Sequence, residues 1–411
     1  MPSSQRSEPS WHLLESDPGV FSELLDALGV KNVDVEELWS VDDLILKNEE
    51  NTCGVVFLFK WQGQRSRSTP AQLPTSNEKV VFIKQVVENA CGTIALLHVL
   101  LNREGVEIGE TLEGLKGFIT DMDGETAGSC LATHEGVRMA HNSFVRPEAF
   151  SIEDDSRASK SEDAFHFVAY VPKNGIVYEL DGLSKGPVIV GESGSNWLTT
   201  AQVALQQRIS EYSQLEIRFN LLVVQKSTLY TSMREAAAIL VESECLLGAL
   251  LSVTSEDGIN QQQLQAFPSS DEVAAMFGER VLPDPPVNAE SLAEASIARL
   301  LASCSPELAS DALKTKMQGL QARLMQCGET VAQEKERIAK YRRENERRRH
   351  QFVPLIMELL RGLADRGKLQ ELYERGKKRA VDEKERKRIQ KLNAKAERDA
   401  EAKASSSSSS I

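Results

Sequence analysis

The sequence predicts an α/β domain followed by an all-α extension, and three observations carry that prediction. From Trp11 to Lys226, short helical patterns alternate with β-branched or aromatic runs at Val55–Trp61, Val80–Lys84, Phe165–Val171, Ile176–Leu180 and Ile217–Gln225. Between Thr254 and Asn288 the periodicity gives way to Gln261, Gln262, Gln263, Ser269, Ser270, Pro283, Pro285 and Pro286, a composition that buries little surface. Beyond it, apolar or near-apolar residues fall at 313, 317, 320, 324, 327, 331, 338 and 341, in steps of four and three with Glu334 as the gap.

Taken in order, residues 1–10 are polar and expected to be disordered, 11–226 form the α/β domain, and 227–253 are helical. Residues 254–288 read as a polar linker, and 289–349 as a coiled-coil seam or a long packed helix. Residues 350–380 read as a helical hairpin, because Phe352 and Val353 precede Pro354 at a first-turn position and Gly367 separates two amphipathic segments. Its Leu355, Ile356, Leu359, Leu360 and Leu363 need a partner surface. Residues 381–411 read as a basic, mostly disordered tail that includes Ser405–Ser410.

Composition narrows the function classes. The 411 residues are 41% hydrophobic and 27% charged, with 13 Phe and 4 Trp, enough for a substantial core. The longest apolar runs, Val55–Phe59 and Ile94–Leu101, are too short to span a bilayer, so a soluble protein of the cytoplasm and nucleus is expected. Six cysteines, at 53, 91, 130, 245, 304 and 327, lack paired spacing, which speaks against a disulfide framework or a metal site. A net charge of −13 speaks against specific nucleic-acid binding, although Lys368–Lys403 holds 13 Lys/Arg against 8 Asp/Glu.

Chemistry concentrates around Cys91. The run Val80 to Gln85 reads as a strand, and Cys91 stands where the apolar helix Ile94–Leu101 begins. Free backbone N–H groups and the positive end of the helix dipole stabilise a thiolate at such a position. A lone cysteine is more often a buried structural thiol. Here Gln85, six positions upstream at the strand end, offers a side-chain amide to the oxyanion formed when a thiolate attacks a carbonyl.

A base and its orienting group lie on a hairpin over 165–181. If Pro172 to Gly175 form the loop, His166 lies opposite Asp181; if only Asn174-Gly175 turns, Asp181 moves to the diagonal position on the same face. Either register lets the carboxylate reach the imidazole. His98, inside the apolar helix, reads as a core residue, and Cys53, Cys130, His134 and His141 lack metal-ligand spacing.

Gln85 with Asn89-Ala90-Cys91-Gly92-Thr93, then His166, then Asp181-Gly182-Leu183 and Gly186-Pro187, resemble the active-site signature of ubiquitin C-terminal hydrolases. Trp11 and Glu15-Ser16-Asp17-Pro18-Gly19-Val20-Phe21 are similar to that family's N-terminal segment, so the likeness covers roughly Trp11 to Lys226. The resemblance implies a papain-like cysteine-peptidase fold, a central antiparallel sheet flanked by helices, with an unusually threaded backbone. It implies Cys91 as nucleophile, His166 as general acid and base, Asp181 as the group orienting His166, and Gln85 as oxyanion donor, with no metal or cofactor.

It also implies that the polar run Ser151 to Asp163, with Asp154 and Asp155, is the loop that crosses the active-site mouth and controls substrate access. Long members of the family end in a coiled region and a short helical domain with basic residues, which Phe352 to Leu360 resembles. The implied partners are ubiquitin, a ubiquitin receptor of the proteasome regulatory particle, and a subunit of a chromatin-remodelling complex. Alternative readings are a hydrolase for a related ubiquitin-like modifier, or a catalytically idle ubiquitin-binding scaffold.

Overall fold

The computed structural model describes residues 10–60, 79–144, 165–212, 219–253, 268, 270–278, 282–304, 306–379, 381–382 and 386. The described residues fall into two compact units, one running up to 349 and the other from 350 onward.

The first unit is built on a six-stranded antiparallel sheet: β1 (Val33–Leu38), β2 (Thr52–Lys60), β3 (Phe165–Lys173), β4 (Ile176–Leu180), β5 (Val188–Glu192) and β6 (Phe219–Lys226), in the spatial order β1-β6-β2-β3-β4-β5. Nearly all of β2 is buried, as its unbroken apolar run Val55–Phe59 requires of a strand covered on both faces. Its alternate residues separate two cores. Val56 and Leu58 join α1 (Pro18–Leu28), α2 (Cys91–Asn102), α3 (Gly109–Ile119), α4 (Gly124–Thr133) and α5 (Glu135–Asn142) on one face. Val55, Phe57 and Phe59 meet α6 (Trp197–Tyr212) and a 3-10 helix, Val41–Leu46, on the other. Every residue of α2 is buried, which makes it the central helix of the first layer.

The strand expected at Val80–Lys84 is not one. Residues 79–86 form neither helix nor strand and pair with no strand among the described residues. Their polar groups go elsewhere: the Val81 N–H donates to Asn102 Oδ1 at 2.8 Å, the Ile83 N–H to His98 Nε2 at 2.9 Å, the Lys84 N–H to the Gly124 carbonyl at 2.9 Å, and the Gln85 N–H to the Gly182 carbonyl at 2.8 Å. The apolar pattern reports burial on both sides of the run, and burial is what it has; the pattern carries no information on where the N–H groups point. The sheet also holds β1 and β5, which sequence periodicity does not single out.

Among the described residues four helices complete this unit: α7 (Thr228–Val253), α8 (Ser270–Met276), α9 (Ala289–Ala302) and the 44-residue α10 (Pro306–Arg349). The seam residues Leu313, Leu320, Leu324, Cys327 and Val331 of α10 are buried with Met233, Ile239 and Leu240 of α7 and Ile297 of α9. The 3-4 spacing is thus filled within the chain, as a long packed helix. The stretch expected to be a polar linker contains α8, whose Val273, with Phe277 just beyond it, is buried in the same cluster. Two apolar residues a turn apart suffice to seat a short helix that overall composition hides.

The end of α10 returns to the start of α1. Arg348 pairs with Asp17 at 2.6 Å, Arg349 with Glu23 at 3.1 Å, and Asn345 donates to the Gly19 carbonyl at 2.9 Å. Nearer its middle, Arg337 pairs with Asp34 of β1 at 2.9 Å.

In the second unit, α11 spans Val353–Asp365 with Pro354 in its first turn. A further helix, α12, spans 369–379, and Gly367 between them takes a positive φ of 65°. Phe352, Leu355, Ile356, Met357, Leu359 and Leu360 are all exposed. Among the described residues no helix is long and apolar enough to cross a membrane.

Candidate active site

Cys91 is the first residue of α2. Asn89, just before it, takes φ +63°, a left-handed conformation that asparagine tolerates better than most residues, and its Nδ2 donates to the Trp11 carbonyl at 3.0 Å. Gly92 follows because the turn is pressed against aromatic rings. A Cβ there would lie 3.2 Å from Phe21 and 3.4 Å from Phe167. One residue further, Thr93 contacts His141 Nδ1 at 2.7 Å, and His141 Nε2 meets the His12 carbonyl at 2.6 Å. A carbonyl only accepts, so Nε2 carries the proton and the Thr93 hydroxyl donates to Nδ1. Burial pushes His141 down to about 4, against the hydrogen bond to the His12 carbonyl, and keeps it neutral.

His166 and Asp181 meet across the β3–β4 hairpin. Asn174 and Gly175, with φ of 51° and 78°, form a two-residue turn with both residues left-handed, and Lys173 pairs with Ile176. In this register Ala169 faces Leu180, so Asp181 lies diagonal to His166, the second of the two arrangements the sequence allows. His166 Nε2 and Asp181 Oδ1 are 2.6 Å apart, and both side chains are largely buried. The same Oδ1 accepts the Leu183 N–H at 2.9 Å, so the turn after β4 fixes the carboxylate.

Burial lowers the affinity of His166 for its proton, but the hydrogen bonds to Asp181 and Cys91 outweigh it and push the imidazole up to about 9. With Nε2 on Asp181, Nδ1 is the ring nitrogen that a thiol would have to meet. Asp181 is held below the usual carboxylate range: burial acts against this, but the bond to His166 and the Leu183 N–H prevail, helped by the charge of Arg208. That guanidinium lies 4.4 Å over the ring of Phe59, which stands nearly perpendicular to the His166 ring, and pairs with Glu179 at 2.8 Å.

Gln85 is tied to Gly182, the residue after Asp181. Besides accepting the Gln85 N–H, Gly182 packs so closely that a Cβ on it would lie 3.2 Å from Gln85 Cβ and 3.3 Å from Ile94. The sequence singles out Gly182 only as part of the Asp181-Gly182-Leu183 signature; its closeness to Gln85 follows from the fold. Ser151, Asp154, Asp155 and Asp163 lie outside the described residues. The arrangement provides a thiol at a helix start and an imidazole oriented by a buried carboxylate, components of acyl transfer through a thioester.

A model of "Ubiquitin carboxyl-terminal hydrolase, family 1" matches residues 11–210, and one of "Ubiquitin carboxyl-terminal hydrolases" matches residues 325–369. Over 368 residues the chain is 34% identical to ubiquitin carboxyl-terminal hydrolase isozyme L5 of Dictyostelium discoideum, covering 89% of this chain and 95% of that one. The chain belongs to the ubiquitin carboxyl-terminal hydrolase family. It is a cysteine peptidase of that family, with the papain-like fold of a six-stranded antiparallel sheet flanked by helices. It is also 32% identical over 364 residues to ubiquitin carboxyl-terminal hydrolase ubh-4 of Caenorhabditis elegans, covering 88% of this chain and 89% of that one. Among solved structures it is similar to the catalytic domain of Trichinella spiralis UCH37 bound to ubiquitin vinyl methyl ester, at 37% identity and a TM-score of 0.47, covering 55% of this chain and all of that one.

Proposed function

We propose that this hydrolase is a deubiquitinase that cleaves the bond after the C-terminal glycine of ubiquitin, in adducts or chains, at the proteasome. The observation that carries the chemistry is His166, held by Asp181 at 2.6 Å through Nε2, with its hold on the proton raised by Asp181 and by Cys91. In this reading the His166 imidazolium sustains the Cys91 thiolate, and the sulfur attacks the glycine carbonyl carbon. The carbonyl electron pair moves to oxygen, which the Gln85 side-chain amide and the Cys91 N–H hold. Collapse expels the amine, which takes its proton from His166 and leaves a thioester. His166 then removes a proton from water, the hydroxide attacks the thioester, and thiolate and free ubiquitin carboxylate depart.

The extension supports the partner assignment. The exposed Phe352, Leu355, Ile356, Leu359 and Leu360 suit insertion of a helix face into an apolar groove, here that of a ubiquitin receptor of the proteasome regulatory particle in the cytoplasm and nucleus. A subunit of a chromatin-remodelling complex is the second partner of the same kind.

Release of a fluorophore from a ubiquitin C-terminal conjugate tests the chemistry. Wild-type protein should turn it over and Cys91→Ala should not, while a conjugate of a related ubiquitin-like modifier should be cleaved far more slowly. Turnover surviving in Cys91→Ala, or equal use of both conjugates, would overturn the reading. Co-sedimentation with purified proteasome regulatory particle should be lost in Leu359→Glu.

A further inference from the structure

We infer that Gly128 and His98 are positioning residues for Gln85, which hold the segment carrying the oxyanion donor from opposite sides; the inference rests on the role proposed above for Gln85. A donor amide stabilises an oxyanion only where it is already fixed, and strands of a sheet normally supply that rigidity. Gln85 lacks it, because residues 79–86 join no strand among the described residues.

What replaces the sheet is a seat between two helices. From α2, His98 Nε2 accepts the Ile83 N–H at 2.9 Å, its ring stacks on Phe82 with centroids 5.3 Å apart, and Asn102 brackets Val81 through both backbone groups at 2.8 Å. Nε2 can accept only while it is unprotonated, and burial, against the attraction of Asp181, pushes His98 down to about 4 and keeps it so.

From α4, Gly124 and Gly128 face the segment one turn apart. The Gly124 carbonyl accepts the Lys84 N–H at 2.9 Å, and a Cβ on Gly124 would stand 2.5 Å from the Phe82 ring. A Cβ on Gly128 would fall deep inside contact distance of the Lys84 carbonyl oxygen and 3.2 Å from Val86. The obstacle is backbone, so a side chain there is accommodated only by moving the Lys84–Gln85 peptide. Lys84 and Val86 flank Gln85, and the displacement therefore reaches the amide without touching Cys91 or His166.

The test is a double-mutant cycle on the full chain, read as kcat for a fluorogenic ubiquitin conjugate together with the rate at which iodoacetamide alkylates Cys91. Alkylation needs the thiolate and His166 but no oxyanion donor. Gln85→Ala should lose roughly 10²–10³-fold in kcat, and Gly128→Ala roughly 10–100-fold, both with KM and alkylation nearly unchanged. The double variant should be no slower than Gln85→Ala alone, since a misplaced donor cannot matter once it is gone. His98→Leu should behave like Gly128→Ala, and His98→Gln, which restores an acceptor, should recover most of the rate. That pair carries the same cycle if Gly128→Ala does not fold. Losses that multiply in the double variants, or alkylation falling in step with kcat, would overturn the inference. An unimpaired Gln85→Ala would instead remove the oxyanion role itself.

Discussion

Asn345 donates from Nδ2 to the carbonyl of Gly19 at 2.9 Å, a bond that joins residues 326 positions apart. Asn345 is buried, and its Oδ1 accepts from Arg348, which in turn grips Asp17, the N-cap of α1. Gly19 permits the approach, since a Cβ there would stand 2.8 Å from the Tyr341 ring. Asn345→Leu strips the partner from the buried Gly19 carbonyl and one from half-buried Arg348, and should lower stability by about 1–3 kcal/mol. Denaturant unfolding measures it, and an unchanged midpoint would show the clasp to be dispensable.

The elevated His166 sets the alkaline limit of activity. Because Asp181 and Cys91 raise the imidazole to about 9, it keeps the proton destined for the leaving amine until the pH passes that value. The profile of kcat/KM should fall with an apparent pKa near 9. Asp181→Asn should move that limb at least one unit lower, and an unmoved limb would mean that Asp181 does not hold the proton. The same shift stabilises the fold, fully below about 6.5 and progressively less as the pH rises through about 9.

His98 and His141 act in the opposite sense. Burial depresses both to about 4, so the unfolded chain takes up protons first as the solution is acidified. Their contribution is complete above about 6.5 and is lost as the pH falls toward 4, on the order of a few kcal/mol between them. Stability measured from pH 7 to 4 should drop less steeply in His98→Gln/His141→Gln, even though that variant starts lower. Equal slopes would place the acid sensitivity elsewhere.

Arg337 offsets two carboxylates. Burial raises Asp34 to about 6, Glu334 adds to the rise, and Arg337 opposes both through contacts of 2.9 Å to Asp34 and 2.5 Å to Glu334. A folded state that binds this proton more tightly loses stability as pH rises from about 4 to about 6. Arg337→Met should deepen that loss, costing roughly 3–5 kcal/mol at pH 7 and less at pH 5, where Asp34 takes up its proton. A pH-independent cost would show that the charge pair is not the cause.

Cys91, His166 and Asp181 are legible in the sequence because their residue types are few and each sits at a local signal: a helix start, a strand, a turn. The register joining His166 to Asp181 is not settled there, since a two-residue and a four-residue loop both keep them on one face. Left-handed Asn174 and Gly175 decide it. At Val80–Gln85 the apolar pattern gives burial but not pairing, because His98 and Asn102 do the work of a neighbouring strand and nothing local announces it. Likewise the spacing from Leu313 to Val331 fixes a seam without saying whose residues fill it, and Met233 and Leu240 of the same chain do.

The clasp between α1 and α10 also bears on how the chain is made. Asp17 leaves the ribosome more than three hundred residues before Arg348, which will cover it. Throughout that interval the face of α1 awaiting α10 presents Asp17, Glu23 and Asp26, while Phe21, Leu24, Leu25 and Leu28 turn into the core. A waiting surface made of carboxylates stays hydrated and offers nothing for another nascent chain to stick to. The late-arriving arginines meet a face that has kept itself clean by charge.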